Sequence, residues 1–228
     1  MNELFENIKI ANHIEIRVLN PLYMCGANAL YTYILTQHKK VSLYQDKDDL
    51  DNKYRFLPWF SKIKTTVTPS ADISLDFDYS ALELYDFFKK YDIKINRKIA
   101  TSLYAAFVEE SDGFSKDLDG TIFAICSLLI QDGANHREAI DNLIKNISLA
   151  QLRLKADMLL EMKLKNNATL AEFRLSEEML QRSGATIEMA KKNINEAFLL
   201  RYVESVHLIY ENKIIKKIDK ERSFGKKK

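Results

Sequence analysis

The first 45 residues contain a strand–turn–helix–strand pattern that restricts the possible folds more than any other feature. Residues 14–19 are rich in β-branched side chains, residues 29–37 have a helical pattern, and residues 41–45 form a second strand-like run. A connection of that length between two strands, with a helix in it, is typical of a parallel pair. The sequence therefore predicts an α/β fold with a parallel sheet. In such folds the turn after the first strand, here residues 20–28, usually carries the chemistry.

The rest of the chain predicts a helical middle and a second, smaller domain. Residues 72–77 form a third strand candidate, whereas residues 46–69 are polar and irregular. Helices are predicted over residues 79–91, 96–110, 121–131, 135–146 and 149–165, with Asn96 and Asp119 as helix caps. Beyond them come a strand at 169–175, two short helices, and a hairpin of residues 203–210 and 214–218. We predict an N-terminal domain over 1–148, a connecting helix over 149–166 and an α+β C-terminal domain over 167–228.

Composition and charge exclude several classes of protein. The chain has 46% apolar and 29% charged residues, which is an ordinary globular balance. A net charge of +2 gives no global field for nucleic acid or an anionic membrane, so a nucleic-acid partner is not expected. The basic segment 213–228 is interpreted as a solvated terminus, with a polyanion-binding arm as the alternative. No apolar run reaches the length of a membrane span and the N-terminus is acidic, so we expect a cytoplasmic protein.

The two cysteines, Cys25 and Cys126, are far apart and neither belongs to a Cys-x-x-Cys pair. This spacing supports neither a disulfide framework nor a zinc site. Both have apolar neighbours in the sequence, so we expect them to be small core residues.

Four segments and the turn at residues 20–30 carry a family resemblance, and they cover most of the chain. The four segments are residues 79–85 (YSALELY), 99–107 (IATSLYAAF), 128–134 (LLIQDGA) and 169–185. Their order resembles the DHH phosphoesterases, in particular the oligoribonuclease and phosphoadenosine-phosphate phosphatase branch. The resemblance implies a parallel-sheet catalytic domain, a smaller C-terminal substrate domain, and hydrolysis of phosphate esters with two manganese ions.

The metal-binding motifs of that family are replaced in this chain. The first motif of the family has the form His-x-Asn-Pro-Asp-x-Asp, and its three ligand positions correspond to Val18, Leu22 and Met24, although Asn20 and Pro21 match. Hydrocarbon and thioether side chains do not bind hard or borderline divalent cations. We therefore expect no metal and no other cofactor, with Mn²⁺ required only if the chain is an enzyme.

The other family motifs are also incomplete. No Asp-His-His run exists, because the four histidines are scattered at positions 13, 38, 136 and 207, and the segment that should carry the run is missing before residue 79. Asp76 matches a ligand aspartate of the family, and Glu110 stands where another is expected, so these two are the remnant catalytic candidates. The family's Gly-Gly-Gly-His loop is not found, which predicts a truncated C-terminal domain.

These replacements predict a catalytically degenerate phosphoesterase-like protein, a pseudoenzyme that acts as a protein-binding or scaffolding module. The alternative is a divergent metal-dependent phosphoesterase acting on short oligonucleotides or nucleoside phosphates. Such an enzyme would use Asp76 and Glu110, with Asp78 or Asp112 beside them.

Three further hypotheses come from single features. Free N–H groups at a helix start favour anions, so Gly26, Ala27 and Asn28 are a candidate nucleotide-binding turn. Trp59, between Phe56 and Phe60, is interpreted as a hydrophobic plug or partner-binding patch, with base stacking as the alternative. The exposed edge of the C-terminal hairpin makes a homodimer possible.

Overall fold

The computed structural model describes residues 2–46, 50–116 and 118–220. The described chain forms two compact units that divide between Asn146 and Ile147. The predicted α/β class is confirmed. Within the described residues no helix is both long enough and apolar enough to cross a bilayer.

Unit 1 is built on a sheet of parallel strands in the order β3-β2-β1-β4. Its elements along the chain are α1 (Asn2–Ile10), β1 (His13–Arg17), α2 (Met24–Thr36), β2 (Lys40–Tyr44), β3 (Ile63–Lys64), β4 (Ile73–Asp76), α3 (Ala81–Lys90), α4 (Arg97–Glu110), α5 (Gly120–Gln131) and α6 (His136–Leu143). Strand β1 lies between β2 and β4. Its register with these two strands shows which residues lie side by side at the C-terminal edge of the sheet.

Alternation along β1 divides the sheet into an apolar and a polar face. Ile14 and Ile16 are fully buried in the same core as the apolar faces of α2, α3 and α4. His13 and Glu15 point to the other face, as side chains of period two must. Glu15 is also buried there, and its carboxylate accepts the backbone N–H of Thr68 at 2.5 Å. The loop before β4 therefore covers a charged group that an open sheet face would leave in water.

The helices that shape the candidate site begin at well-defined caps. Ser80 and Glu83 form a capping box at the start of α3: the Ser80 hydroxyl accepts the backbone N–H of Glu83, and the Glu83 carboxylate accepts the backbone N–H of Ser80. Asn96 caps α4 and Asp119 caps α5, which confirms both predicted caps. These caps set where α3 and α4 begin. The end of α4 lies beside the start of α3, where Glu110 contacts Ala81.

Unit 2 is a mixed sheet in the order β5-β6-β7-β8 with helices. Its elements are α7 (Leu149–Glu161), β5 (Lys163–Lys165), β6 (Leu170–Leu175), α8 (Glu177–Ser183), α9 (Ile187–Asn193), a 3₁₀ turn (Ile194–Leu199), β7 (Ser205–Tyr210) and β8 (Lys213–Asp219). Strands β6 and β7 are parallel, and β5 and β8 pair antiparallel at the edges, so the predicted C-terminal hairpin is confirmed. Residues 221–228, most of the basic segment, lie outside the described residues.

The predicted helix over 149–165 is wrong at its end. Helix α7 stops at Glu161, and the next residues form β5, which pairs with β6 across a tight turn. Asn166 and Asn167 in that turn have φ of 52° and 53°. Asparagine adopts this left-handed backbone conformation more readily than most residues, so the Asn-Asn pair favours a hairpin over a longer helix.

Candidate functional site

The candidate site lies at the C-terminal edge of the unit 1 sheet, where β1 leads through a 3₁₀ turn (Pro21–Tyr23) into α2. Asn20 caps this turn, since its side chain accepts the backbone N–H of Leu22 at 3.1 Å. Val18 and Met24 are buried in the core, and Leu22 is partly exposed. Two of these three side chains, Val18 and Met24, thus belong to the apolar core of unit 1.

Asp76, the last residue of β4, is paired with an arginine. The strand register places Asp76 level with Arg17 of β1, and Arg17 Nη2 lies 2.7 Å from Asp76 Oδ1. The two side chains remain 34% and 53% exposed, respectively. A guanidinium group therefore neutralises the carboxylate of Asp76, one of the two predicted catalytic candidates.

Glu110, the last residue of α4, has its carboxylate at the start of α3. Its Oε1 accepts the backbone N–H of Ala81 at 2.8 Å, and Lys116 Nζ donates to the backbone carbonyl of Glu110. Burial raises the pKa of Glu110 to about 7, although the bond from Ala81 opposes that shift. In this position Glu110 satisfies a free N–H group of α3, as a capping side chain does.

Glu109 was missed by the sequence reasoning, yet it is the most deeply embedded acid at this edge. Its side chain is 7% exposed, and its Oε1 lies 2.7 Å from both Lys53 Nζ and the Tyr54 hydroxyl. The Cys25 thiol donates to Oε2 at 3.5 Å. We name Cys25, Lys53, Tyr54 and Glu109 the Glu109 cluster.

The Cys25 thiol and the Tyr54 hydroxyl of the Glu109 cluster stay protonated. Burial raises the pKa of both Cys25 and Tyr54, and the negative charge of Glu109 adds to the shift in each case. The Tyr54 hydroxyl also lies 2.6 Å from the backbone carbonyl oxygen of Pro21. The cluster thereby links the irregular segment 50–62 to the turn after β1 and to the end of α4. No pattern in the sequence of that segment signalled this role for Lys53 and Tyr54.

Gly26, Ala27 and Asn28, the candidate nucleotide-binding residues, lie within α2 and are fully buried. A Cβ atom at Gly26 would lie 3.1 Å from the ring of Phe77, and Asn28 Oδ1 accepts the hydroxyl of Ser102 at 3.2 Å. Their nucleotide-binding role stays a prediction, and an anion at these N–H groups would have to displace the packed side chains.

The described histidines are not brought together. His13 lies 2.9 Å from the Ser70 carbonyl and 3.0 Å from the Ser42 hydroxyl, and His136 lies 2.6 Å from the Tyr104 hydroxyl. Within residues 2–46, 50–116 and 118–220, no group of three or more His, Cys, Asp or Glu side chains is placed to hold a metal ion.

Trp59 and its aromatic neighbours pack on unit 1. Phe56, Trp59 and Phe60 are partly buried against the unit 1 core. Trp59 Nε1 donates to Thr32 Oγ1 at 2.9 Å. This packing favours an anchoring role for the segment over a free stacking platform.

One solved structure shares this architecture over most of the chain. A protein described as exopolyphosphatase-related, from Bacteroides fragilis, superposes with a TM-score of 0.73 at 12% identity, covering 92% of this chain and 79% of that chain. At this identity the likeness shows that the two chains share a fold, and nothing beyond the fold. No family model matches the chain, and no curated protein matches it significantly.

Proposed function

Starting from this phosphoesterase-like fold, we propose that the chain is a catalytically degenerate protein that binds another protein and does not hydrolyse phosphate esters. The observation that carries the proposal is the ion pair of Arg17 with Asp76. A carboxylate that would have to ligate a cation is instead held by a permanent cation of the protein itself.

The donor set at the strand ends does not suit two divalent cations. Two-metal sites hold their ions about 3.5–4 Å apart through several carboxylate or imidazole ligands. Here Val18, Leu22 and Met24 offer no such ligand, and Asp76 and Glu110 are each engaged by a protein donor. We therefore propose no resident metal, and derive no chemical step through one.

The charge of this edge also disfavours a phosphate substrate. Glu109 and Glu110 end α4 and Asp112 lies two residues later, while Asp76 and Asp78 precede α3 in the chain. The cations that contact these acids, Arg17 and Lys53, are already paired. Because these two cations are already paired with acids of the same edge, they are not free to hold a phosphate ester.

The replacements also make the fold self-sufficient without a metal. Buried carboxylates without a counter-ion are strongly destabilising, whereas Val18 and Met24 contribute to the core. The chain thus keeps the shape of a hydrolase fold without the destabilisation that unpaired carboxylates in an empty cation site would cause.

The outer surface of α5 supports a protein partner. No charged residue occurs in this helix, and Phe123, Leu128 and Ile130 are among its exposed side chains. Large apolar side chains exposed together on one helix favour contact with another macromolecule. Aromatic and aliphatic side chains with no charge among them suit a protein surface better than a nucleic acid.

The decisive experiment is a hydrolysis assay on the full chain with Mn²⁺. Short oligoribonucleotides, a nucleoside bisphosphate and inorganic polyphosphate would be supplied in turn, with Asp76→Ala as the matched variant. We expect no product above the level given by Asp76→Ala. Turnover that Asp76→Ala abolishes would refute the proposal and establish the alternative, a divergent metal-dependent phosphoesterase.

A thermal-shift titration gives an independent result. A ligand that binds only the folded state raises the melting temperature. We expect millimolar Mn²⁺ to leave it unchanged, and a rise that is lost in Asp76→Ala would contradict the proposal.

A further inference from the structure

A second surface of unit 1 lies between the end of α2 and the start of α4. Two neighbouring cavities, of about 430 and 440 Å³, share Thr36 and Asn96. The first, which we name the α2–α4 trough, is lined mainly by Leu35, Thr36, Trp59, Asn96, Arg97 and Lys98. Because α4 ends at Glu110, this trough lies at the opposite end of α4 from the candidate site.

The trough combines an apolar floor with a basic rim. Leu35 and Trp59 are partly buried, whereas Arg97 and Lys98 are exposed. Lys94 lines the adjoining cavity, where Asp92 is the acidic residue. Within the part of the chain that the structure describes, neither Lys94, Arg97 nor Lys98 forms an ion pair.

Helix stability does not account for these cations. Arg97 and Lys98 are the first two residues of α4, where the helix dipole already presents positive partial charge. Cations are favourable at the other end of a helix, as Lys89 and Lys90 are at the end of α3. The basic rim therefore opposes the local electrostatics of its own helix, and a bound anionic group would relieve that repulsion.

The aromatic floor is held in place before any ligand binds. Trp59 Nε1 donates to Thr32, Tyr31 lies 5.6 Å from the indole ring, and Lys98 Nζ lies 4.1 Å from its centroid. A pre-organised apolar seat lowers the entropy lost on binding. Because Lys98 Nζ lies over one face of the indole ring, a ligand that contacts Trp59 meets a cation beside the apolar surface.

We propose that the α2–α4 trough binds an acidic segment of a partner protein. An apolar side chain of the segment would sit on Leu35 and Trp59, and its carboxylates would pair with Arg97 and Lys98. Arginine forms bidentate bonds with carboxylates, which gives the rim its specificity. This inference rests on the proposed function, because it names the chemistry of the protein partner.

The test uses the full chain and a fluorescently labelled, capped peptide of sequence Glu-Asp-Leu-Phe-Asp-Glu, followed by anisotropy. Trp59 is the only tryptophan, so its emission reports separately whether the peptide lies at the trough. We expect saturable binding that changes Trp59 emission. The variant Arg97→Gln/Lys98→Gln should weaken binding by about tenfold or more, since it removes both charge-assisted contacts.

Three controls make the outcome decisive. Lys89→Gln removes one positive charge from an exposed residue of the same unit that does not line the trough, and should leave affinity within about twofold, because exposed charges at a distance are screened. The Gln/Asn form of the peptide should bind at least about tenfold more weakly. Since Arg97→Gln/Lys98→Gln removes unfavourable charge from a helix start, it should melt no lower than the natural chain, which shows that it folds.

Absence of binding, equal binding of both peptides, or an equal effect of Lys89→Gln would overturn the inference. So would binding of a single-stranded oligouridylate that depends on Arg97 and Lys98, which would assign the trough to nucleic acid. If the chain both hydrolyses a phosphate ester and binds the peptide, the proposed function is refuted and the inference about the trough holds. If it does neither, only the inference about the trough is refuted.

Discussion

Glu109→Ala should destabilise unit 1 more than any other single change of an acid at its C-terminal edge. The natural carboxylate is nearly inaccessible to solvent and is contacted by Lys53, Tyr54 and Cys25. After Glu109 is removed, the Lys53 ammonium can be hydrated because its side chain is partly exposed, so losing this ion pair costs little stability. The buried thiol of Cys25 is a weak donor and also loses little.

The Tyr54 hydroxyl loses a charge-assisted bond, worth roughly 1.5–3 kcal/mol, and keeps only its contact with the Pro21 carbonyl. The vacated volume adds about 1 kcal/mol of lost packing. We therefore expect Glu109→Ala to lower the free energy of unfolding by about 3 kcal/mol. Tyr54→Phe, which removes only the hydroxyl, should lower it by about 1.5 kcal/mol.

Urea unfolding followed by Trp59 fluorescence measures these changes, since Trp59 belongs to the same unit. The double variant should show a coupling energy of about 1 kcal/mol, because the two side chains are in contact. Glu138→Ala, a change at an exposed acid of α6, serves as the control and should fall within about 0.5 kcal/mol of the natural chain. A loss below about 1 kcal/mol for Glu109→Ala, or additive effects in the double variant, would refute the assigned contacts.

Three smaller predictions concern neighbouring positions. The pKa of Glu110 is raised from 4.5 to about 7, so the folded chain holds a proton there that the unfolded chain has released, and the free energy of unfolding should fall as pH rises from about 5 to about 7. Glu110→Gln should flatten that dependence and add about 1 kcal/mol at about pH 8, a figure reduced for solvent screening, as urea unfolding at several pH values would show. Gly26→Ala places a Cβ 3.1 Å from the Phe77 ring. Alanine favours a helix by up to about 1 kcal/mol, but crowding should outweigh this and lower the free energy of unfolding by about 1 kcal/mol in total. A stabilised variant would mean that the ring moves freely. Asp76→Asn breaks a partly exposed ion pair with Arg17 and should change the free energy of unfolding by less than about 1 kcal/mol, as calorimetry would measure. A larger loss would show that the pair is shielded from solvent.

The sequence allowed the parallel strands and the main helices of unit 1 to be located, because each has a local signal. The β-branched run at 14–19 corresponds to β1, and caps at Asn96 and Asp119 begin the helices they were expected to begin. A further signal was present and unused: Ser80 and Glu83 have capping-box spacing, which would have placed the start of α3 at Ala81.

The elements that were not predicted lack such signals. Strand β3 has two residues, too few for any alternation to be recognised, and it exists because it pairs with β2. Helix α1 buries only Leu4 and Ile8, and Phe5 stacks on Tyr91 at 3.7 Å between ring centroids. Its position thus depends on packing against α3, which no local pattern encodes.

The same division holds at the candidate site. That Leu22 and Met24 offer no carboxylate or imidazole could be read directly, because residue type is visible in the sequence. That Arg17 faces Asp76 depends on the register between β1 and β4, and that Tyr54 meets Glu109 depends on the path of an irregular loop. Contacts between residues distant in sequence are set by tertiary structure, so their partners could not be assigned beforehand.

Three acids at the C-terminal edge, Asp76, Glu109 and Glu110, are each held by a donor of the protein itself. Arg17 pairs with Asp76, the start of α3 donates to Glu110, and the Tyr54 hydroxyl with the Lys53 ammonium holds Glu109. These donors come from three different elements, so the neutralisation is distributed over the edge. A divalent cation that entered here would have to displace several hydrogen bonds and ion pairs at once, and it would gain few oxygen ligands in exchange. Such an exchange is unfavourable at this edge, whereas at the opposite end of α4 the side chains of Arg97 and Lys98 form no ion pair with any residue that the structure describes.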